Sequence, residues 1–437
     1  MKRFAWKIHF NLSSIGLALM FGTMASCRVM AGDAQSLPET VTMQQLLDIT
    51  RAKSPRYAAL QQRIEAADAG VVAAGVLPNP RLSYGRFDLV SRRNTMYDGN
   101  VQQQVIVEVP VLIAGQRGKR IEAAEKKADA TAAEIAADSV GLIYEEWLLF
   151  VKQLADRQRI AVLDETAQYI EHLSGIVSGR LQAGSASQYD LLRIEIEAKS
   201  VETRRETFRN NLSATASDLG VLLGLSGWKP QAQGDLISLN VPTDLDKLWA
   251  DAEKIHPDIE ATRRGEIAAN ADLARAKRER WPTPSVQVGT VFTDAPYGNT
   301  SFAGVAVDLP IFDRGQGTIA RANAEKHAAI LQYNLAVART HGELERAVEL
   351  LIRRRETRSN FERNVIAKLP DLKNMGEASY RLGKGSLLEL LDASRSRTET
   401  LLTKFDLMQS EIEAELDVLR TSGLLTHMFE NQLTKLN

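Results

Sequence analysis

Two carboxylates near the end of the chain, Glu389 and Asp392, have a spacing that lets acidic side chains act together on a cation. A separation of three residues places both on one face of a helix. Carboxylates held close together attract cations and bind counter-ions. A second interpretation is equally open, because Ser386 and Glu389 match a capping box and the helix dipole favours acids in a first turn. Both interpretations require a helix that begins directly after Ser386.

The rest of the sequence offers no catalytic motif. It contains no His-Glu-x-x-His, no Gly-x-Ser-x-Gly and no Gly-rich phosphate loop ending in Lys-Ser or Lys-Thr. The segment Arg117-Gly118-Lys119-Arg120 lacks the Ser or Thr and the preceding Gly spacing of such a loop. The histidines are scattered, with no pair at i+3 or i+4: His9, His172, His256, His327, His341 and His427. Met96, Met375 and Met408 form no cluster. We therefore predict no enzyme, no cofactor and no resident metal site.

Composition favours long helices over a thick globular core. Aromatic residues make up 6% of the 437 residues and charged residues 25%, and much of the 44% hydrophobic share is alanine. The 54 basic residues nearly balance the 55 acidic ones, and no basic tract is flanked by stacking aromatics. Nucleic acid is therefore excluded as the expected partner.

The first residues have the pattern of an export signal. Lys2, Arg3 and Lys7 precede the short apolar run Ile15 to Met24, which is too short to span a bilayer. We expect a signal peptide over residues 1–26, with an alternative end at residue 31. No later stretch reaches about 18 uninterrupted apolar residues, so no membrane helix is expected after it.

Two cleavage sites compete within that signal. Met24-Ala25-Ser26-Cys27 resembles a bacterial lipobox, with Met24 where Leu is usual, and it would leave Cys27 as a lipid-carrying first residue. Val29-Met30-Ala31 fits ordinary signal peptidase, which would remove Cys27. Cys27 is the only cysteine, so no disulfide can form within one chain.

The chain consists of two copies of one unit, about 200 residues apart. Matching segments recur in the same order: Ser54-Pro55 with His256-Pro257, Leu77-Pro78-Asn79-Pro80 with Trp281-Pro282-Thr283-Pro284, Val109-Pro110 with Leu309-Pro310, Gly115-Gln116-Arg117-Gly118 with Arg314-Gly315-Gln316-Gly317, and Arg180-Leu181-Gln182-Ala183-Gly184 with Arg381-Leu382-Gly383-Lys384-Gly385. We predict a first repeat over residues 42–226, a second over 243–424 and a C-terminal tail over 425–437.

Each unit is predicted to contain a helix, two strands, a very long helix, a tight turn and a long helix. The opening helices, about Met43–Val76 and Asp244–Arg280, are interrupted by a proline. One strand of the first unit carries Val101, Val105, Val107 and Val109 on one face and Gln102, Gln104 and Glu108 on the other. In the second unit Ala303, Val305, Val307 and Leu309 alternate in the same way. The partner strands are expected over about Arg81–Val90 and Ser285–Thr293.

The strongest local signal is a helix of about 60 residues, which contains no proline from Lys119 to Val177. Apolar or small residues recur at sevenfold spacing: Ile121, Ala128, Ile135, Leu142 and Leu149, then Ile160 and Ala167 alongside Leu163, Ile170 and Val177. Such a helix would extend about 90 Å. That length predicts coiled-coil packing.

The turns after the long helices are repeated too. Ser185-Ala186-Ser187-Gln188 and Ser386-Leu387-Leu388-Glu389 both fit a capping box at a helix start. Gly184 and Gly385 precede them, where positive φ is common. The hairpin tips, Gly184, Ser185, Gly383, Lys384, Gly385 and Ser386, should therefore lie at the same end of the molecule.

Four strands cannot close a barrel, because lipid cannot satisfy the unpaired edges of an open sheet. Three copies would supply about 12 strands, an even number within the range for bacterial barrels. The predicted fold class is thus mainly α with a small β part, built from a duplicated helix–strand–strand–long helix–helix unit. Four strands per chain would join a trimeric 12-stranded transmembrane β-barrel, continued by a periplasmic α-helical barrel. A small soluble hairpin domain is the alternative that the alternation of the strands leaves open.

With these features the sequence resembles the TolC-like outer-membrane efflux proteins, and within them the CzcC-like branch of cobalt–zinc–cadmium resistance channels. The resemblance covers about Thr42 to Leu424. It rests on the following motifs: Leu77-Pro78-Asn79-Pro80, Val107-Glu108-Val109-Pro110 leading into Gly115-Gln116-Arg117-Gly118-Lys119-Arg120-Ile121, Tyr380-Arg381-Leu382-Gly383-Lys384-Gly385, and Leu387-Leu388-Glu389-Leu390-Leu391-Asp392-Ala393.

The resemblance implies a homotrimer in the outer membrane lipid, docked to a periplasmic membrane-fusion adaptor and an inner-membrane pump of the RND type. It implies that Glu389 and Asp392 form the periplasmic gate, where a trimer would gather six carboxylates. It leaves the cargo open between divalent heavy-metal cations, drugs and other small solutes. Some family members lock the closed mouth with a basic residue at the position of Gly385; Lys384 is the substitute that the resemblance suggests. A periplasmic adaptor is the rival interpretation, although two complete strand–helix repeats disfavour it.

Overall fold

The computed structural model describes residues 37–88, 101–294, 298–382 and 384–425. The expected signal peptide with either of its ends, Cys27, His9, Met96, Gly383, His427 and nearly all of the C-terminal tail lie outside the described residues. In the part that is described, helices dominate and two small sheets accompany them.

The two halves of the chain have a similar order of elements. The first half contains β1 (Thr40–Val41), α1 (Met43–Lys53), α2 (Pro55–Gly75), β2 (Arg81–Asp88), β3 (Val101–Pro110), α3 (Gln116–Gln182) and α4 (Gln188–Leu223). The second half contains β4 (Gln231–Ala232), α5 (Leu245–Ile255), α6 (Pro257–Glu279), β5 (Ser285–Thr293), β6 (Gly298–Ala306), α7 (Gln316–Asn364), a 3-10 turn (Ile366–Lys368), α8 (Leu369–Arg381) and α9 (Leu387–Thr421).

Each opening helix is split at its proline, as predicted. Ser54 caps α2 by accepting a hydrogen bond from the Tyr57 amide, and His256 caps α6 by accepting one from the Asp258 amide. Proline then occupies the first turn of each new helix, where its missing N–H breaks no hydrogen bond. Each opening segment therefore consists of two helices, and the second helix begins at the proline.

The larger sheet has the order β2-β3-β5-β6 with every pair antiparallel. The register confirms the predicted alternation: Leu82 lies opposite Val107, which lies opposite Val288, while Arg81 lies opposite Glu108, which lies opposite Gln287. One face is therefore mainly apolar and the other mainly polar. Both outer strands, β2 and β6, keep one edge unpaired within the described chain.

The prediction that the last strand continues to Leu309 is wrong, because β6 ends at Ala306 opposite Ser285. The residue before Ser285 is Pro284, which has no N–H with which to extend the ladder. The other edge of β6 has no partner among the described residues. Beyond it, the Ile311 amide donates to the Leu309 carbonyl at 2.8 Å in a tight turn.

The longest helix is α3, whose 67 residues extend about 100 Å. It packs against α2, α4, α6 and α9. The predicted heptad positions form its seam, with Ile135, Leu142, Leu163, Ile170 and Val177 buried and with Ile121, Ala128, Leu149, Ile160 and Ala167 half-buried. No helix in the described part of the chain combines the length and the apolar character needed to cross a membrane.

The second long helix is shorter than the predicted pattern, since α7 ends at Asn364 after 49 residues. The 3-10 turn Ile366–Lys368 then leads into α8, which has Pro370 in its first turn. Pro370 cannot donate the backbone hydrogen bond that a continuous helix requires at that position. The two halves are thus similar in order but differ in this one break.

Candidate functional site at the hairpin tips

The first tip joins α3 to α4 through a turn closed by backbone hydrogen bonds. The Ser185 amide donates to the Arg180 carbonyl at 2.8 Å, and the Gly184 amide donates to the Leu181 carbonyl at 3.0 Å. Gly184 has φ of 72°, a conformation that side chains disfavour. The expectation of positive φ at Gly184 is confirmed.

The capping box predicted between Ser185 and Gln188 is wrong. The cap is Ser187, whose amide donates to Asp190 Oδ2 at 3.0 Å and whose Oγ accepts from the Asp190 amide at 3.2 Å. Ser185 still belongs to the preceding turn, because its Oγ donates to the Arg180 carbonyl at 3.2 Å. Hydrogen bonds from the backbone and then the side chain of Ser187 lower the pKa of Asp190 below its usual value.

The second tip joins α8 to α9 and matches its predicted cap. The Ser386 amide donates to Glu389 Oε2 at 3.0 Å, and the Glu389 amide donates to Ser386 Oγ at 3.2 Å. The amides of Lys384 and Gly385 both donate to the Ser379 carbonyl, at 3.0 and 3.1 Å. One carbonyl therefore closes the turn before α9 begins.

The prediction of positive φ at Gly385 is wrong. This glycine instead lies close to two neighbouring side chains. A Cβ there would lie 2.6 Å from Ser379 Oγ and 3.1 Å from Glu389 Oε2. A side chain at this position would therefore require the Ser379 hydroxyl to move. Lys384 is exposed and has no ion-pair partner within the described residues.

The two carboxylates lie on the solvent-exposed side of α9. Glu389 and Asp392 are exposed, whereas Leu387, Leu390 and Leu391 are buried on the other side of the same turns. Glu389 uses one oxygen in its cap. Asp392 has neither a hydrogen bond nor an ion pair among the described side chains. Both interpretations of Glu389, as a helix cap and as part of a cation-attracting pair, therefore remain open. The Asp392 carboxylate is available to a solute.

The two tips lie side by side because they share one hydrophobic core. Its buried members come from α3, α4 and α9: Ile170, Leu173, Val177, Ile194, Leu387, Leu390 and Leu391. Tyr380 packs against this core, and the Arg180 guanidinium lies 4.6 Å from the centre of the Tyr380 ring. The two hairpins are therefore packed against each other at this end.

An open groove between α3 and α8 was not identified from the sequence. Tyr169, His172, Ile176, Arg180, Glu377 and Tyr380 line it. Burial and the nearby Glu377 carboxylate raise the pKa of Tyr169 to about 12. The sequence does contain a signal for this groove, which is the Arg-Leu motif repeated at each tip. Arg180 belongs to the first motif and Tyr380 directly precedes the second, and both residues line the groove.

Two of the described histidines, His256 and His341, take part in capping and packing, whereas His172 and His327 are exposed. Burial lowers the pKa of His256, and its Nδ1 accepts the Asp258 amide at 3.2 Å, so a neutral ring suits its capping position. The His341 ring packs edge-on against Trp249 at 4.6 Å. Among the residues that the structure covers, no cluster of three or more His, Cys, Asp or Glu side chains is placed to hold a metal ion.

Comparisons with known proteins give matches that agree with one another. Residues 46–225 match the family described as outer membrane efflux protein. The cobalt-zinc-cadmium resistance protein CzcC of Cupriavidus metallidurans is 24% identical over 390 residues, covering 88% of this chain and 90% of CzcC. The pyoverdine export outer membrane protein OpmQ of Pseudomonas putida is 23% identical over 434 residues, covering 90% of each.

A solved structure extends this likeness to the fold. The cation efflux system protein CusC of Escherichia coli K12 is 26% identical over 290 residues, covering 63% of this chain and 62% of CusC. A crystal structure of CusC matches with a TM-score of 0.71 at 19% identity, covering 89% of this chain and 95% of the CusC chain. The predicted fold class, mainly helical with a small β part, is confirmed.

Proposed function

We propose that this chain, which matches the outer membrane efflux protein family over residues 46–225, is the outer-membrane channel of a tripartite efflux system. Its cargo in this proposal is divalent heavy-metal cations, conducted passively from the periplasm to the exterior. The observation that carries the proposal is a four-stranded sheet with two open edges and one exposed apolar face.

The apolar face suits lipid. Its exposed side chains come from all four strands: Leu82, Tyr84, Val105, Val109, Val286, Val288, Phe292 and Val305. The opposite face carries Gln102, Gln104, Glu108 and Gln287, which suit a water-filled lumen. Lipid offers no hydrogen bonds to the free edges of β2 and β6. Three copies, each adding four strands, would close the sheet and leave no edge.

The helices would continue this passage into the periplasm, with the hairpin tips at its far end. In a trimer the exposed Glu389 and Asp392 would gather six carboxylates around the axis, and such a ring would favour cations. The groove beside Tyr169 and Arg180 and the tips themselves would face the membrane-fusion adaptor, which connects the channel to an inner-membrane pump of the RND type. The proposed signal peptide and the lipidation of Cys27 would direct the chain to the outer membrane.

The choice of cargo rests on two relatives. CzcC is named for cobalt, zinc and cadmium resistance and CusC for cation efflux. OpmQ is named for pyoverdine export, so a small organic solute is the second candidate. The acidic pair at the tip favours the cation, because an anionic solute would meet like charge there.

Deletion of the gene tests the cargo. We expect the inhibitory concentration of at least one of zinc, cobalt, cadmium or copper to fall in the deletion strain, since cations would accumulate in the periplasm. Growth assays with each metal, with common antibiotics and with siderophore export measured in parallel would show it. Complementation by the intact gene is the control. Unchanged metal tolerance with a loss of antibiotic tolerance or siderophore export would reject metal cargo in favour of the organic solute.

The gate is tested by removing charge without removing the cap. We expect the double variant Glu389→Gln and Asp392→Asn to lower the cation-to-anion permeability ratio by about tenfold in planar bilayers, because the focusing field would be lost. Glutamine can still accept the Ser386 amide, so the helix start is preserved. The matched control is Asp190→Asn, which alters the equivalent cap at the first tip. Equal selectivity in the double variant and the wild type would leave the carboxylates only a capping role.

A further inference from the structure

The apolar face of the sheet continues beyond its last strand into the segment that leads to α7. Exposed apolar side chains stand at every second position of this segment, at Val305, Val307, Leu309 and Ile311. Phe312 follows them and is 91% exposed, more than any other large apolar side chain that the structure describes. Single exposed apolar residues are ordinary, whereas a contiguous group of them marks a binding or membrane surface.

These side chains form one side of an open notch between the end of α6 and the start of α7. The notch has a volume of about 630 Å³, within the range of about 300–1,000 Å³ that is usual for small-molecule sites. Trp281, at the end of α6, lines its other side and is half exposed. Ala276 also lines the notch and packs in a buried cluster with Leu273 and Ala322. The packing of α6 on α7 therefore holds the two sides of the notch together.

Arg280 supplies a free cation to this notch. It is exposed, and its guanidinium lies 5.9 Å from the centre of the Trp281 ring. It has no ion-pair partner among the described residues. Its Cβ lies 3.4 Å from the position that a Cβ on Gly315 would occupy, so the backbone before α7 runs directly beside it. Arg280 is thus held at its base and open at its guanidinium, where an anion can bind.

Asp308 supplies a free anion to the same notch. It is exposed and forms neither a hydrogen bond nor an ion pair with the described residues. The other two acids of the notch are engaged: Glu279 lies 3.6 Å from the Arg275 guanidinium, and Asp313 accepts a backbone amide at 2.9 Å. One cation and one anion therefore line the notch without pairing with each other.

We propose that the notch binds one phospholipid whose headgroup carries a primary ammonium group. The phosphate accepts from the Arg280 guanidinium, and the ammonium donates to the Asp308 carboxylate. Leu309, Ile311 and Phe312 contact the first carbons of the acyl chains. This inference rests on the proposed function, because it places this end of the sheet at the periplasmic surface of the membrane. Tryptophan is enriched at such surfaces, as Trp281 would be here.

The charges of the notch select this headgroup over the alternatives. An anionic phospholipid offers a phosphate to Arg280, but it brings no cation to Asp308 and adds negative charge beside Glu279 and Asp313. A quaternary ammonium has the right charge but no N–H to donate to a carboxylate. A primary ammonium has three N–H donors. The notch therefore fits a zwitterionic headgroup that can donate hydrogen bonds.

The repeat indicates that a neighbouring copy in a ring would leave this surface accessible. The equivalents of Leu309 and Ile311 in the first half are Val109 and Val111. The second half packs beside them, since the Val111 amide donates to the Pro284 carbonyl at 2.8 Å. Val109 and Val111 nevertheless remain 39% and 40% exposed. A copy placed in the same way would consequently leave Leu309 and Ile311 open to lipid.

Native mass spectrometry of the full chain, purified from outer membranes in mild detergent, tests the headgroup. We expect phosphatidylethanolamine to bind, one per chain, about tenfold more tightly than phosphatidylglycerol or phosphatidylcholine with the same acyl chains. Each of these two lacks the charge-assisted hydrogen bond to the carboxylate. Equal binding of all three phospholipids by the wild type would overturn the site.

Two variants separate the ends of the headgroup. Asp308→Asn should weaken phosphatidylethanolamine alone by about tenfold, whereas Arg280→Gln should weaken all three phospholipids, because all three carry the phosphate. Arg278→Gln is the matched control, since Arg278 is an exposed arginine of α6 that does not line the notch. Unchanged binding in both variants, or the same loss in the control, would overturn the assignment of these two residues.

Photo-cross-linking identifies what covers the notch in the outer membrane. Benzoylphenylalanine in place of Phe312 should form an adduct with the mass of phosphatidylethanolamine. An adduct only with a second copy of the chain or with another protein would overturn the lipid site and leave the channel intact. Conductance in planar bilayers is measured separately on the same preparation. A wild-type chain that conducts no ions there would overturn the proposed function on which the site depends.

Discussion

Replacement of Glu415 by alanine is expected to lower the free energy of unfolding of the helical part by about 3–5 kcal/mol, the range for breaking a buried ion pair. Glu415 is fully buried in α9. Its carboxylate accepts the Leu239 amide, the Ser238 hydroxyl and the Arg355 guanidinium, each at 2.7 Å. Alanine would leave these three donors without their acceptor, and the buried desolvation cost would remain.

The loss should extend beyond α9, because this carboxylate holds the segment that connects the two repeats. Arg355 also donates to the Val241 carbonyl at 3.2 Å, and neighbouring Glu411 binds Arg358. We expect the midpoint of thermal unfolding, followed by circular dichroism, to fall by about 3–6 °C for a chain of this size. Glu413→Ala is the control, since Glu413 is half-buried and, among the described side chains, forms a hydrogen bond with Gln409 alone. Equal midpoints for the two variants would contradict the anchoring role.

Glutamine at position 146 is expected to stabilise the protein in alkaline solution. Glu146 is fully buried, and neither carboxylate oxygen has a hydrogen-bond partner among the described residues. The Thr50 hydroxyl is close by but donates to the Leu46 carbonyl at 3.0 Å. Burial raises the pKa of Glu146 to about 8 from its usual 4.5, against the attraction of Arg56 and Arg51. The folded state therefore favours the protonated acid.

The sign of the pH dependence follows from proton binding. Between about pH 4.5 and pH 8 the folded state holds a proton on Glu146 that the unfolded state releases. Stability from this group is thus greatest below pH 4.5 and declines as the pH rises to 8, by at most about 5 kcal/mol. Above pH 8 the wild type buries a bare carboxylate, a state that the Glu146→Gln variant never reaches.

The measurement is thermal unfolding at several pH values. We expect Glu146→Gln to lose most of the decline between pH 5 and pH 8 and to unfold about 5 °C higher than the wild type at pH 8.5. Glu145→Gln is the matched control, because Glu145 is the adjacent exposed residue and lies 3.6 Å from Arg56. Parallel pH profiles for wild type and Glu146→Gln would show that the carboxyl finds a partner in the assembled protein.

The parts of the candidate site that depend on residues close together in sequence could be predicted. The cap of α9 needs only Ser386 and Glu389, three residues apart, and the structure has it as predicted. The first tip was harder, since Ser185 and Ser187 both fit a cap pattern and only the length of the preceding turn selects Ser187. Gly385 was identified as a turn glycine, but the contact that it makes was not predicted. The sequence does not reveal that the Ser379 side chain lies against it.

The sequence by itself determined the duplicated order of elements, the long uninterrupted α3, the proline breaks before α2 and α6, and the two faces of the sheet. Each of these depends on contacts within a few residues along the chain or on a simple period. Only the tertiary structure decided which acids are buried, where β6 ends, and which surfaces of α2 and α7 are left open. Burial at Glu146 and Glu415, like exposure at Val72 and Leu335, is set by elements far apart in sequence. The local sequence pattern around each residue does not show which distant element packs against it.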